Sequence, residues 1–380
     1  MAHDLGTTPL LRRLNAAAVL DVVRSSTAPL TGTEIMESTR LSRPTVHAVC
    51  GELMRRGLVT EIEGRPPESR SQPGRRPRQY LFNATAGYVV GIDLGAKKVT
   101  AQVADLRGNI IAARTTPFRH ERVRASTRID VVRETVKQVL DEAGVQAGAV
   151  SSVAMGVPAP VGGDGHVVAS QSYLPGLAKH DLREALAPFG WTTRVENDAN
   201  LAVVGERWRG VAQGCDNVIE LLAGYRLGSA LFMEGRLIRG HAGRAGELEF
   251  LNMVEGVGNT DAIAELTERA AGEDVPVEKV FDAARSGDPA ATRIVDGVLD
   301  RIARVVAIFG TFLNPELVVI GGGVAGAGDL IVPGLEKRLP ALTQSPPRVA
   351  ASVLEDQAVV TGAIRVALDD VESRILEATA

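Results

Sequence analysis

The segment SRPTVHAVCGELMRRG at 42–57 has little choice of conformation. Ser42 can cap a helix, Pro44 is tolerated only in a first turn, and Gly57 ends the run, while Val46, Val49, Cys50 and Leu53 recur on one stripe. A helix so bounded sets the reading of its neighbours. Before it, TGTEIMEST follows Pro29-Leu30 with Thr31 as N-cap and Ile35 and Met36 as a short apolar face, a helix of about two turns. Earlier still, LLRRLNAAAVLDVV at 10–23 carries Leu11, Leu14, Ala18 and Val22 at helical spacing, which predicts a first helix with that stripe inward. After the third helix, Leu58–Ile62 and Gln79–Phe82 read as two strands joined by a Gly/Pro/Ser/Arg loop at 63–78. Three short helices followed by a hairpin make a winged helix-turn-helix over residues 1–82.

That arrangement assigns a chemistry. The buried stripe of the third helix leaves Ser42, Arg43, Thr45 and His47 at its exposed amino end, where such a fold meets base edges in the major groove. Arg43 can pair with guanine or phosphate, and Thr45 and His47 can exchange hydrogen bonds with bases. The hairpin tip carries Arg70, Arg75, Arg76 and Arg78 with no acid from 69 to 78, a composition suited to phosphates or a minor groove. Charge agrees: residues 1–82 hold 12 Arg against 8 acids, whereas the remainder holds 30 basic against 38 acidic residues. A positive front on an acidic body predicts that only the front meets a polyanion. The competing reading is a small helical domain for protein contact with solvated arginines.

At Gly87 the composition changes. YVVGIDLGAKKVTAQVADLRGNIIAART reads as three strands with a turn at Arg107-Gly108-Asn109, followed by a helix near 127–143, a buried strand Val150–Val157 and a short strand ending at Asn197. The pattern returns weakly as strands Asn217–Ala223, Ser229–Met233 and Arg236–Arg239. A long helix at 289–313 follows, with Ile294, Val298, Ile302, Val305, Phe309 and Phe312 expected inward, and then a strand Leu317–Ile320 runs into Gly321-Gly322-Gly323. Three strands, helix, strand is the lobe of an actin-like fold, so the expected class is α/β: a winged helix-turn-helix, then a two-lobed actin-like or sugar-kinase (ribonuclease H-like) body. The divisions are 1–82, a hinge at 83–87, a first lobe at 88–198, and a second lobe with oligomerisation helices at 199–380. No apolar run approaches the roughly 20 residues of a membrane span, and the start lacks the order of a secretory signal, so a cytoplasmic protein is expected. Cys50 and Cys215 stand singly, which predicts neither a disulfide framework nor a zinc cluster.

The quoted stretches LSRPTVHAVCGELMRRGLV and GRRPRQYLFN, with GIDLGAKK, GVPAPVGGDG, ENDANLAVVGERWRG, GRLIRGHAGRAGELEF and NPELVVIGGGVAGAG, resemble the ROK (repressor, open reading frame, kinase) family over nearly the whole chain. The resemblance implies a sugar kinase or, given the extra front domain, a transcription regulator that senses a sugar or sugar-derived effector. It puts the family's catalytic aspartate at Asp198 and its sugar contacts at Gly176, Asn197, Asp198 and Glu247, with Tyr173 and Phe250 where the family has Asn and His. The phosphate turns depart from the pattern: Ala96 replaces a glycine, and Tyr225-Arg226 fill the second turn, whereas Gly321-Gly322-Gly323 is intact. The zinc cluster expected near 255–262 reads EGVGNTDA, with no cysteine. These departures imply no kinase cofactor, no metal, and no catalysis unless Asp198 retains some. Asp198 and Glu247 can equally serve as structural caps, and His241 as a loop hydrogen-bonder. The expected function is a DNA-binding repressor of carbohydrate-related genes, a dimer or tetramer on a double-stranded operator, with a cleft ligand acting through the hinge. The alternatives are an active sugar kinase with an accessory DNA-binding domain and a regulator that answers to no small molecule.

Overall fold

The computed structural model describes residues 7–63, 78–119, 123–168, 174, 176–223, 227–248, 253–257, 275 and 277–377. The front domain comprises α1 (Thr7–Ser25), β1 (Leu30–Thr31), α2 (Gly32–Thr39), α3 (Arg43–Arg55), β2 (Val59–Glu63) and β3 (Arg78–Phe82), with sheet order β1-β3-β2. Thr31 forms a capping box with Glu34, whose carboxylate accepts the Thr31 amide at 2.6 Å and is held below its ordinary pKa by that bond. Arg40 turns the chain in the left-handed region at φ 59°, and Ser42 then caps α3. Val46, Val49, Cys50 and Leu53 are all buried, as the spacing requires.

The first helix has a different inward face from the expected one. Ala16, Val19, Leu20 and Val23 are buried, whereas Leu11 and Leu14 are 56% and 57% exposed. Both stripes have helical spacing, so periodicity alone could not choose the phase. Only the second half of α1 is buried, and its first turns overhang.

The body contains β4 (Tyr88–Leu94), β5 (Lys98–Asp105), β6 (Ile110–Pro117), α4 (Ala125–Ala143), β7 (Val150–Val157), β8 (Arg194–Asn197) and α5 (Asp198–Arg209). It continues with β9 (Val218–Ala223), β10 (Leu227–Met233), β11 (Arg236–Ile238), α6 (Val277–Arg285) and α7 (Pro289–Leu313), then β12 (Leu317–Gly321), α8 (Gly328–Arg338), β13 (Arg348–Ala351) and α9 (Ala358–Glu377). The weak repeat in the sequence becomes one topology used twice. The first sheet runs β6-β5-β4-β7-β8 and the second β11-β10-β9-β12-β13. In each, three antiparallel strands are extended by two parallel ones. The central parallel strands β4, β7, β9 and β12 are largely buried and mostly apolar, with Glu220 of β9 a buried exception.

Helix α7 is set by its ends: Asp288 accepts the Ala290 and Ala291 amides, Pro289 fills the first turn, and Asn314 adopts φ 45° beyond it. Val298, Ile302, Val305 and Phe309 are buried and Ile294 is half-buried. Phe312, expected inward, is 81% exposed, because the last turn of α7 runs past the sheet it covers.

Although the sequence division places residues 358–377 with the second lobe, α9 returns to the first and packs on α5, β4 and β7. Contact between α5 and α9 is backbone to backbone: a Cβ on Gly362 would lie 1.8 Å from the Leu201 carbonyl oxygen, and one on Gly205 would lie 2.4 Å from that of Ala358. The segment 83–87 holds a short 3-10 turn, and the segment's first two residues are tied one to the front domain and one to the body. Asn83 donates to the Leu58 and Gly57 carbonyls at 2.8 and 3.0 Å, and Leu106 donates to Ala84 at 3.0 Å.

Candidate nucleic-acid interface and interlobe site

Ser42, Arg43 and His47 are exposed on the first turns of α3, with Thr45 half-buried between them. The Ser42 hydroxyl caps the helix by accepting the Thr45 amide and lies 2.8 Å from the Thr45 hydroxyl, so part of the polar capacity of both is spent locally. Arg43 reaches out from the helix amino end, where unpaired amides and the helix dipole favour a phosphate. His47 is fixed from behind: its Nδ1 lies 3.0 Å from the hydroxyl of Tyr80, a side chain only 1% exposed in β3. That contact leaves Nε2 as the ring atom facing outward chemistry. Sequence reading took Tyr80 for a strand residue alone. A tyrosine at a core position facing the helix was the available signal, since a buried phenol needs a polar partner.

Arg78 begins β3 at the end of the described ladder nearest the loop, opposite Glu63, and pairs with Glu61 at 3.2 Å. Arg70, Arg75 and Arg76 lie outside the described residues.

The interlobe site starts where β4 and β8 end. Asn197 closes β8 and caps α5: its side-chain oxygen accepts the Asn200 amide at 3.1 Å, and its amide donates to Ala159 at 3.2 Å. Asp198 is the first residue of α5 and accepts the Ala199 amide at 2.8 Å. A helix amino end ordinarily favours carboxylate. Here burial dominates, aided by repulsion from Asp93 and Glu247, and Asp198 is pushed up to about 8. Asp93, the penultimate residue of β4, is raised to about 7 by burial, with Lys98 opposing and Asp356 reinforcing the shift. Asp198 and Asp93 therefore hold protons near neutrality. Sequence reading had Asp93 within a motif without giving it a role.

Other assigned residues are less convergent. Glu247 is exposed and reaches Asp198 through its field. Gly176, at φ 87°, opens a 3-10 turn and faces Ala125 at the start of α4. Tyr173 and Phe250 lie outside the described residues. An ion pair missed by sequence reading, buried Glu196 with half-buried Arg239 at 2.6 Å, ties the end of β8 to the segment after β11, and Glu196 also accepts from Asn200 at 2.9 Å.

The glycine turns have structural explanations beside the phosphate one. Gly322 has φ 80°, and a Cβ there would lie 2.5 Å from the Ala223 carbonyl oxygen. Packing alone requires glycine at this position. In the first turn, Arg128 is 1% exposed and donates to the carbonyls of Gly95 and Ala96 at 3.1 and 3.0 Å, while its guanidinium covers the Phe118 ring at 4.3 Å. The turn is thus held by a cation of the chain itself. Gly224, Tyr225 and Arg226 lie outside the described residues, as do 258–262 of the stretch compared with a zinc cluster. Among the described residues no three His, Cys, Asp or Glu side chains gather as a metal site, and no helix is long and apolar enough to cross a membrane. Cys50 and Cys215 are buried free thiols, and burial pushes Cys50 up to about 12.

Residues 89–370 match the model of the ROK family, and residues 14–63 match the IclR helix-turn-helix domain. A glucokinase of Thermotoga maritima is 28% identical over 312 residues, covering 72% of this chain and 96% of its own. The DNA-binding transcriptional dual regulator NagC of Escherichia coli K12 is 23% identical over 369 residues, covering 88% of this chain and 86% of its own. Among solved structures, a ROK family transcriptional regulator, a homolog of the E. coli MLC protein, superimposes with a TM-score of 0.75 at 20% identity, covering 97% of this chain and 99% of its own.

Proposed function

Because this chain belongs to the ROK family, we propose that it is a DNA-binding transcriptional repressor of carbohydrate-related genes whose sugar-kinase body serves as an effector module. The observation that carries the reading is the capped, outward amino end of α3, with Arg43 exposed and His47 oriented by buried Tyr80, joined to a complete two-lobed body. A relative that regulates transcription covers 88% of the chain, more than the body alone can supply, whereas the glucokinase covers 72%.

In this reading Arg43 and His47 contact base edges, Ser42 and Thr45 fix the helix end near a phosphate, and Arg70, Arg75, Arg76 and Arg78 track the backbone. Two copies engage paired half-sites, spaced about 34–36 Å or a multiple apart. A sugar or sugar-derived effector occupies the cleft beside Asp198, with Gly176, Asn197, Glu247, Tyr173 and Phe250 as its surroundings. Phosphoryl transfer is absent, supported by Ala96 and by the Arg128 contacts that occupy the first turn. The test is fluorescence-anisotropy titration of the protein against fragments of the DNA upstream of its own gene and of neighbouring sugar genes, at several salt concentrations. Binding that stays at the non-specific level on every fragment overturns the reading.

One observation favours a second reading. A carboxylate near pH 8 in a cleft suits a general base, so Asp198 has the electrostatics of a kinase residue. A coupled ATP-consumption assay across hexoses and amino sugars decides. Turnover that disappears in Asp198→Asn would establish the kinase.

A further inference from the structure

The front domain is held to the body by three arginines, two of them its own. Arg24 of α1 pairs with Glu372 of α9, which also lies 3.5 Å from Arg365. Arg56, just after α3, donates to the Ile375 carbonyl at 2.7 Å. From the body, Arg107 reaches back to the carbonyls of Arg24 and Ser26 that end α1, the second at 2.6 Å, and its guanidinium lies 5.3 Å from the Phe82 ring centroid. A guanidinium donating to two carbonyls at a helix carboxyl end fixes direction as well as distance, because its donors form a rigid fork and the dipole there attracts a cation.

Both anchoring elements lead to α5. The turn bearing Arg107 is rigid: Asp105, 6% exposed, accepts the Arg107 and Asn109 amides at 2.8 and 3.0 Å and the Asn109 side chain at 2.9 Å. Gly108 of that turn rests on the last turn of α5, so closely that a Cβ would lie 2.5 Å from Trp208 Cη2. Arg209 lies 3.8 Å and Arg365 5.9 Å from the Trp208 ring centroid. The second anchor, α9, is locked to α5 through the Gly205 and Gly362 contacts, which leave no room for sliding. Asp198, at the other end of α5, lies between Asp93 at the end of β4 and Glu247 after β11, whose charges it feels.

We propose that Arg24, Arg56, Arg107 and Glu372 are positioning residues that set the orientation of the DNA-binding domain, and that α5, running from Asp198 in the cleft to Trp208 beneath Gly108, is the lever through which the cleft governs them. The segment 83–87, tied to the front domain at Asn83 and to the body at Ala84, follows this clamp and does not lead it. The lever's purpose rests on the regulatory reading above; its geometry does not.

The test needs no DNA and no effector. Ser38→Cys on α2 and Glu336→Cys on α8 are exposed positions, while the native cysteines are buried, so spin labels attach selectively to the full chain. Pulsed dipolar spectroscopy of the otherwise unchanged chain should give one narrow distance. Arg107→Ala with Glu372→Ala should broaden it and shift its mean, and Arg107→Lys, which keeps the charge and loses the fork, should do the same. Trp208→Ala should broaden it too, and Trp208→Phe should restore part of the narrow peak. Distributions that superimpose on the parent's, with only the melting temperature lowered, would reduce the arginines to stabilising contacts and overturn the proposal. A broadened result for the arginine variants with an unchanged Trp208→Ala overturns the lever. Should the protein bind no operator DNA, the regulatory reading fails while these distances still decide the clamp.

Discussion

Glu220 gives the most exposed test of the second lobe's interior. It lies in the middle of β9, opposite Ala230 and Val319 at the centre of the five-stranded sheet, with no solvent exposure. Neither carboxyl oxygen has a hydrogen-bond partner among the described residues. Burial, and then the charge of Glu206, raise its pKa well above 4.5. Glu206, equally buried, is served by the Val211 amide at 2.9 Å and by the Ser352 hydroxyl, so it offers Glu220 repulsion and no bond. The sign follows from proton uptake. Above pH 4.5 the unfolded chain releases this proton while the folded one keeps it, so folding stability falls as pH rises, by up to about 1.4 kcal/mol per pH unit, and levels off once the folded group ionises. Glu220→Gln removes the titration and keeps an unpaired polar group. Glu220→Leu removes both, adding a gain of about 1–3 kcal/mol for the unsatisfied atoms. At about 2–4 °C per kcal/mol, relief of the unsatisfied atoms alone should raise the melting temperature of Glu220→Leu by roughly 2–12 °C, and loss of the titration adds to that gap as pH rises from 5 to 8. Calorimetric melts of the three proteins across that range measure it. A Glu220→Leu curve that runs parallel to the parent's, or below it, would mean that the carboxylate has a partner and that the reasoning is wrong.

Four further outcomes test the assignments. Arg43→Ala should cost about 1–3 kcal/mol of operator affinity if it reads a base, measured by anisotropy against matched and substituted half-sites. Arg75→Ala with Arg76→Ala should lower the slope of log affinity against log salt by about 2, with little change in sequence preference; an unchanged slope removes both from the phosphate contacts. Tyr80→Phe releases His47 Nδ1, so affinity should fall by about 0.5–1.5 kcal/mol while the fold, read by circular dichroism, persists. Asp198 and Asp93, near 8 and 7, are protonated donors at low pH and carboxylates at high pH, so binding of a neutral sugar measured by calorimetry should change between pH 6.5 and 8.5 in the parent and lose most of that change in Asp198→Asn.

What could be read from the sequence follows the range of the forces involved. Ser42, Pro44 and Gly57 fix α3 through contacts within a turn, and Thr31 with Glu34 fixes α2 in the same way. Those signals are local and survive in one dimension. The phase of α1 is not local: Leu11 and Leu14 satisfy the same spacing as Ala16, Val19, Leu20 and Val23, and only the position of α2 and α3 decides between them. Phe312 belongs to the stripe of α7 but lies beyond the sheet's edge, which no periodicity reports. The pairing of Arg78 with Glu61 and the burial of Glu220 likewise depend on register across strands. Arginines read as solvated or DNA-facing divide only when their long-range partners are known, as with Arg24 and Glu372.

The same limit applies to the motifs. Gly322 is held by the Ala223 carbonyl and Gly321 by the Glu220 carboxyl, where added Cβ atoms would lie 2.5 and 2.2 Å away. Gly322, crowded by backbone at φ 80°, would be required whether or not phosphate ever met the turn, whereas Gly321 faces only the end of a side chain. An intact glycine triplet is therefore silent about nucleotide. The first turn is more informative, because Arg128 donates to the carbonyls of Gly95 and Ala96 from within the body. Those donors satisfy and fix the turn without a ligand. A kinase spends binding energy on ordering such turns around a nucleotide, whereas here Arg128 supplies that order through the turn's carbonyls. Asp198 differs from both, since burial and the neighbouring carboxylates Asp93 and Glu247 raise its pKa and disfavour the charged form. Capping α5 would be served as well by an uncharged serine or asparagine. In the proposed regulatory reading, a ligand that uses the proton or the charge of Asp198 accounts for electrostatics that capping α5 does not require.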